Sequence, residues 1–526
     1  MPYINPVLRG WNPDPSLCRV GDDYYLATST FAYFPGVPIH HSKDLVNWKL
    51  IGYALSRSSQ LEFRTGVGNE IYAPTLRYHN GRFYVITTDV GGIGNFIVSA
   101  EDPAGPWSDP ILVDRDLFDP SLLFDTDGTI YYTRRGRNGV VQAEIDVSTG
   151  TLLTPLREIA RGFCSADAEG PHLYAIQGRY YLLTAEGGSR YGHMATISRS
   201  DSPWGPFEPC PHNPILTQRH ITFSPLRDTG HAELIEDSGG QWWLFFLATR
   251  NYTYASLAHL GRETCCLPVG WTADGWPVLH DNGRAVPLVQ GYGPKEIPVV
   301  PHIVQDDFCG PSTDAAWFGL RWAPADFVTF GRGDDPALRI PCLPGSLDTS
   351  ETPAMVARKQ TAFDFEASVL VSLMGCSDGD EGGVTLYLDR HHHYDFFLLS
   401  ATDRTIVILR RRIGDLSAVV FQQELDAGHS QSPVEIRVCG EDKRYTFQYR
   451  STSSEDWKSV GDALTKYLSP EIAESWTGVV IGLYACGSEG SSGNAVFRRF
   501  RNEEKAGAWW TLHGEIPESI NGKADI

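Results

Sequence analysis

Asp119-Pro120-Ser121-Leu122-Leu123-Phe124-Asp125-Thr126-Asp127-Gly128-Thr129-Ile130-Tyr131-Tyr132 reads as a short strand, a tight Asp-Gly turn, and a second strand opened by an aromatic pair. Glycine supplies the left-handed backbone that such turns need, which makes the phrase a hairpin. It occurs five times in the first half of the chain. The aromatic pairs are Tyr24-Tyr25, Phe83-Tyr84, Tyr131-Tyr132, Tyr180-Tyr181 and Trp242-Trp243, each following a Gly-containing turn. Counting back from them reaches Asp14-Pro15-Ser16-Leu17, Ala73-Pro74-Thr75-Leu76, Asp119-Pro120-Ser121-Leu122, Glu169-Gly170-Pro171-His172-Leu173 and Gly230-His231-Ala232-Glu233-Leu234. A strand-and-turn repeat of roughly 48 to 62 residues has the size of a propeller blade, whose innermost strands converge on one channel. Three of the five repeats carry a carboxylate at this position. The pattern therefore predicts that Asp14, Asp119 and Glu169 face one another across the axis.

The outer turns echo one another as well: Ser42-Lys43-Asp44-Leu45 leads to Trp48, Glu101-Asp102-Pro103 to Trp107, and Asp201-Ser202-Pro203 to Trp204. These read as staples whose aromatics pack between blades. The repeats fill residues 1–295, and a Pro- and Val-rich stretch from Leu288 to Gln305 reads as a linker. Beyond it, over residues 306–505, short strands such as Gly383-Val384-Thr385-Leu386-Tyr387-Leu388 and Tyr445-Thr446-Phe447-Gln448-Tyr449 alternate with polar turns and predict a β-sandwich. Trp509-Trp510 could tether the tail. The fold class expected is all-β.

A chain of 526 residues is long enough for two domains. With 14 Trp, 23 Tyr, 52 Gly and 34 Pro, its composition favours short strands and turns over long helices. The formal net charge of -20 argues against nucleic acid or an anionic membrane as partner, since both need a basic footprint. No apolar run reaches the length of a membrane span, and no charged-then-apolar signal segment follows Met1, so a cytoplasmic protein is expected. The ten cysteines show no CxxC spacing, and neither a zinc site nor a disulfide framework is indicated. His391-His392-His393 looks like a metal tract, yet successive residues on a strand point to opposite faces, so separate structural roles are the better reading. Glu186, before Gly187-Gly188, reads equally well as a hydroxyl ligand or as part of a buried network.

Carboxylates converging from different blades suit glycosidic bond hydrolysis. That reaction takes one carboxylic acid to protonate the leaving oxygen and one carboxylate to attack or to activate water. A separation of about 6.5 to 9.5 Å leaves room for the water and gives inversion. A third carboxylate nearby raises the pKa of the acid by like-charge repulsion.

Several motifs carry a resemblance. Trp11-Asn12-Pro13-Asp14-Pro15-Ser16, Phe34-Pro35-Gly36-Val37, Phe118-Asp119-Pro120-Ser121, Glu169-Gly170-Pro171-His172-Leu173-Tyr174, Gly230-His231-Ala232 and Leu260-Gly261-Arg262-Glu263-Thr264 together resemble glycoside hydrolase family 43, in its β-xylosidase and α-L-arabinofuranosidase branch. The resemblance implies a five-bladed propeller followed by a β-sandwich, and an inverting exo-glycosidase that releases terminal pentose. It matches Asp14 to the general base, Glu169 to the general acid, and Asp119 to the residue that tunes and orients the acid. Phe31 matches an aromatic wall of the sugar pocket, and Arg262 a substrate-contacting arginine. Tyr72 stands where many β-xylosidases of the family have Trp, and Arg227 where relatives commonly carry Gln.

His231 matches a central histidine that relatives place beside a water-ligated calcium, and a buried histidine without metal is an equal alternative. No cofactor is otherwise called for. The implied partners are oligosaccharide or hemicellulose fragments, with a homo-oligomer left open. Two alternatives stand beside this reading: a non-catalytic carbohydrate-binding propeller and an endo-arabinanase-like hydrolase.

Overall fold

The computed structural model describes residues 1–61, 69–293 and 303–505, apart from 166, 222–223, 253–256, 311–313, 332, 334, 350–351, 403, 426–431, 442 and 452–454. Trp509-Trp510 and much of the linker lie outside the described residues. The chain divides into two compact units. Among the described residues, the first holds 1–61, 69–251 and 262–293, and the second holds Tyr252, 257–261 and 303–505. Residues 257–261, which a linear reading would leave in the last blade, thus belong with the second unit.

Each repeat becomes an antiparallel sheet. The first is ordered Ser16–Val20, Asp23–Ala27, Gly36–Ser42 and Lys49–Leu55; the fifth is ordered Leu226–Glu236, Trp242–Arg250, Arg262–Trp271 and Pro277–Leu279. The inner strands Ser16–Val20, Thr75–His79, Ser121–Phe124, Glu169–Ile176 and Leu226–Glu236 neighbour one another in sequence order, and the last returns to the first. The ring is closed. Each inner strand buries a leucine, namely Leu17, Leu76, Leu122, Leu173 and Leu234, which contributes about 1.5–3 kcal/mol apiece. The outer staples pack as expected: Trp48 meets Phe245 edge-on at 5.9 Å, and Trp204 meets Tyr131 at 5.7 Å.

The N-terminal segment clasps the fifth blade. Tyr3–Ile4 pairs with Leu288–Val289, Asn5 exchanges two hydrogen bonds with the backbone of Cys266, and the Asn12 N–H donates to the Arg262 carbonyl at 2.8 Å. This seam sets Arg262 beside the Asn12-Pro13-Asp14 turn.

A partly buried guanidinium locks the axis. Arg77 donates to the Leu122 carbonyl at 3.0 Å, lies 3.2 Å from His172 Nδ1, and pairs with Glu233, whose other oxygen accepts from the Leu17 N–H at 3.2 Å. Residues of all five blades therefore meet on one ion pair. Burial and the Arg77 charge hold His172 well below its ordinary pKa, so it sits there neutral.

The second unit is a two-sheet sandwich. One sheet contains, in order, Leu338–Pro341, Asn494–Glu504, Phe365–Met374, Val434–Gly440, Arg444–Arg450 and Lys458–Leu464; the other contains Leu416–Glu424, Arg404–Ile413, His392–Ala401, Glu381–Asp389, Val480–Cys486 and Ala354–Lys359. Alternate residues, among them Val369, Val371, Val384, Leu386, Phe396, Leu398, Phe447 and Leu483, fill one core between the inner faces. His391, His392 and His393 do not converge. His392 binds Asp389 at 3.0 Å, while His393 is buried against Asp395 at 2.8 Å. No described helix is long and apolar enough to cross a membrane.

Candidate active site at the propeller hub

Aligning the inner strands on their buried leucines puts Asp14, Ala73, Asp119, Gly170 and His231 at equivalent positions, three residues upstream. Four of them adopt left-handed backbone: Asp14 (φ 56°), Asp119 (58°), Gly170 (54°) and His231 (43°). For residues with a Cβ this conformation costs of order 1–3 kcal/mol, and it persists where the surroundings enforce it, commonly at functional sites.

The alignment corrects the sequence reading. Glu169 is not the fourth-blade counterpart of Asp14 and Asp119; Gly170 is, and Glu169 stands one residue earlier, where strand pairing slips between Glu169 and His172. The reason is steric, because a Cβ at Gly170 would lie 2.8 Å from His231 Nε2. The carboxylate of this blade must come from the neighbouring residue.

The hub nevertheless brings the three carboxylates together through shared neighbours. Asp14 accepts from Ser29 Oγ at 2.5 Å, and its Oδ1 lies 3.3 Å from His231 Nδ1 and 3.7 Å from Arg262 Nη1. Burial pushes the Asp14 pKa up, yet Arg262, His231 and the Ser29 bond outweigh it and hold the carboxyl below its ordinary value. Asp119 accepts from the Gly170 N–H at 3.0 Å. Burial drives its pKa up, His231 opposes this, and the charges of Glu169 and Asp14 add to it, leaving Asp119 at about 7. Glu169 accepts from Arg135 Nη1 at 2.7 Å and from Ser189 Oγ at 3.4 Å. Arg135 also reaches Asp167 at 3.3 Å.

Three rings form a rail beside the carboxylates. Phe31 meets Tyr72 at 5.8 Å and Tyr72 meets Phe118 at 5.6 Å, both edge-on. Arg262 lies 5.6 Å over Phe31 at one end, and Arg135 lies 5.0 Å over Phe118 at the other. Paired backbone hydrogen bonds between Phe31 and Ile71 fix the first two rings across blades one and two. Burial and the charges of Glu70 and Asp119 push the Tyr72 hydroxyl up to about 12, so it stays protonated as a donor.

The sequence reading did not assign Ser29, Phe118, Arg135 or His193. Phe118 directly precedes the Asp119 motif, and Arg135 follows Tyr131 and Thr133 at period two along Ile130–Arg135, so both signals were legible. His193 binds the Asp228 carbonyl through Nδ1 at 3.0 Å and presents a buried, unpartnered Nε2. Burial takes its pKa down to about 4, so the ring is neutral. Glu186 resolves as a network residue: it accepts from the N–H groups of Phe163, Cys164 and Ser165 at 2.7 to 2.8 Å and from Thr196 at 2.6 Å. Arg227 stacks over Tyr191 at 4.9 Å.

A calcium ion wants six to eight oxygens. His231 offers one nitrogen already beside Asp14, and among the described residues no three ligand atoms converge at the hub. These residues do not make a calcium cage on their own.

A propeller whose axis carries three carboxylates in unlike electrostatic settings, next to an aromatic rail, is built to cleave glycosidic bonds. The model for glycosyl hydrolases family 43 matches residues 3–277, and that for the β-xylosidase C-terminal concanavalin A-like domain matches residues 305–503. A non-reducing end α-L-arabinofuranosidase of Bacteroides ovatus is 38% identical over 502 residues, with 92% of each chain covered. A β-xylosidase of Bacillus subtilis is 33% identical, covering 96% of this chain and 100% of the relative. Among solved structures, a family 43 protein of the Bacteroides ovatus xyloglucan PUL superposes with a TM-score of 0.90 at 36% identity, covering 96% of this chain and 100% of its own. The chain belongs to glycosyl hydrolases family 43, whose members are inverting glycosidases, and it is a glycoside hydrolase.

Proposed function

We propose that the protein is an exo-acting hydrolase that releases terminal β-D-xylosyl or α-L-arabinofuranosyl residues from xylo-oligosaccharides or arabinoxylan fragments. Asp14 is the base that takes a proton from water as it attacks the anomeric carbon. Glu169 protonates the departing oxygen, and Asp119 orients the Glu169 turn through the Gly170 N–H. Phe31 and Tyr72 wall the sugar ring, and Arg262 binds its hydroxyls while keeping Asp14 charged.

The observation that carries this reading is the unlike setting of the carboxylates. Asp14 is held ionised, as a base must be, while burial, and after it the charges of Glu169 and Asp14, pushes Asp119, the orienting residue, upward. Similarity to an arabinofuranosidase and to xylosidases supports pentose as the sugar.

Paired aryl β-D-xyloside and aryl α-L-arabinofuranoside hydrolysis, with NMR of the first anomer formed, tests it. Free pentose of inverted configuration is expected from one or both substrates. Products longer than a monosaccharide from arabinan would favour the endo reading, and no turnover of any pentoside would favour a binding propeller.

A further inference from the structure

Two thiols and a carboxylate meet at one end of the sandwich, Cys376 and Asp380 from one turn and Cys342 from 34 residues before Cys376. Cys342 follows Leu338–Pro341, Cys376 follows Phe365–Met374, and Asp380 precedes Glu381–Asp389. One ligand atom from each lies within 4.8 Å of the other two. We propose that Cys342, Cys376 and Asp380 form a binding site for a thiophilic divalent cation of the zinc class, with water completing a tetrahedron.

Geometry favours this over a chance meeting of side chains. The two Sγ atoms are 3.7 Å apart, and two thiolates at about 2.3 Å from a tetrahedral zinc ion stand about 3.8 Å apart. Asp380 is fully buried and asymmetric in its partners. Its Oδ2 accepts from the Ser377 N–H at 2.8 Å and Ser491 Oγ at 2.6 Å, whereas its Oδ1 has no hydrogen-bond partner. Among the described residues no ion pair reaches this carboxylate. A buried, unpaired carboxylate oxygen is costly unless something positive compensates it.

The surroundings are shaped to leave the cluster room. A Cβ at Gly493 would lie 2.7 Å from Cys376 Sγ and 2.8 Å from Asp380 Oδ2, and one at Gly487 would strike Asp380 Oδ1. Cys376 is half-buried, which gives the ion an entry path. A disulfide between the cysteines would leave Asp380 Oδ1 unpaired, so the metal is the reading that accounts for all three residues. On binding, each thiol releases its proton and the cation accepts both sulfur lone pairs. The bound ion would clasp the turn at Ser491 to the strand ends, because Ser491 and the cation share Asp380.

The test uses the full-length chain, reduced, stripped with chelator and titrated with Co²⁺. One Co²⁺ per chain is expected, with thiolate-to-cobalt charge-transfer absorption and the visible bands of tetrahedral cobalt, displaced by Zn²⁺. Cys376→Ser should abolish these bands, and Asp380→Asn should weaken binding at least about 10-fold. Unchanged far-ultraviolet circular dichroism and pentosidase activity in each variant would establish that the fold is intact. Absence of thiolate bands in the unaltered chain, their persistence in Cys376→Ser, or a Cys342–Cys376 disulfide in protein isolated without reductant would each overturn the proposal.

Discussion

Arg135 donates to Glu169 at 2.7 Å, so the carboxyl assigned to proton donation has a guanidinium against one oxygen. A charge-assisted hydrogen bond of this kind is strong and directional, so the contact fixes where the carboxyl points. Asp167 draws part of the Arg135 charge at 3.3 Å, and Phe118 carries its face. Replacing Arg135 by Ala removes the bond that positions this carboxyl and is expected to lower kcat/KM on an aryl pentoside by about 10- to 100-fold, with circular dichroism unchanged. An unchanged kcat/KM would show that the contact has no bearing on the placement of Glu169.

Asp14→Asn and Glu169→Gln each remove one proposed proton-transfer group while keeping shape. Asn also tolerates the left-handed backbone at position 14 and can still accept from Ser29. Each change should lower kcat/KM by about 10²- to 10⁴-fold, with circular dichroism unchanged. Near-normal turnover in either variant would remove that residue from its assigned role.

Asp119 provides a pH test of stability. Its folded pKa of about 7 lies above the ordinary value of 3.8, so between these the folded state binds more protons than the unfolded one. The group therefore costs stability as pH rises through this window, and the cost is fully present above pH 7 or so. Asp119→Asn should raise Tm at pH 8 and have little effect near pH 4, while activity falls. An equal change in Tm at both pH values would refute the assignment of a raised pKa.

Arg77 and Glu233 tie the five blades at the axis, Glu233 fully buried and Arg77 partly so. Removing one member of such a pair strands the other charge, at a cost of about 3–5 kcal/mol. Arg77→Met should destabilise the propeller by that amount in denaturant titration, and Arg77→Met with Glu233→Leu should recover much of the loss. Additive losses in the double variant would show that the pair itself is not the source.

Much of the propeller was legible because its signals are local. Gly-containing turns set the hairpins, period-two alternation set the strands, and a buried leucine set the level of each inner strand. The carboxylates at Asp14 and Asp119 stood out for the same reason, sharing an Asp-Pro-Ser-Leu phrase. Glu169 is visible in the sequence, but its register stands one residue before the position that the repeat predicts. Only the packed hub shows that a Cβ at position 170 would collide with His231. Arg135 lay in plain view on a recognised strand, yet nothing local says that it reaches a carboxylate 34 residues on.

The sequence by itself determined the repeat, the turns, the aromatic staples and the presence of three acidic groups on inner strands, because each depends on residues a few positions apart. The tertiary structure decided which groups share a dielectric and a neighbour. It set His231 and Arg262 on Asp14, Arg77 on Glu233, and Cys342 beside Cys376 and Asp380. Those meetings depend on ring closure and sheet packing, where partners dozens to hundreds of residues apart are brought within a few ångströms and no spacing rule records the encounter.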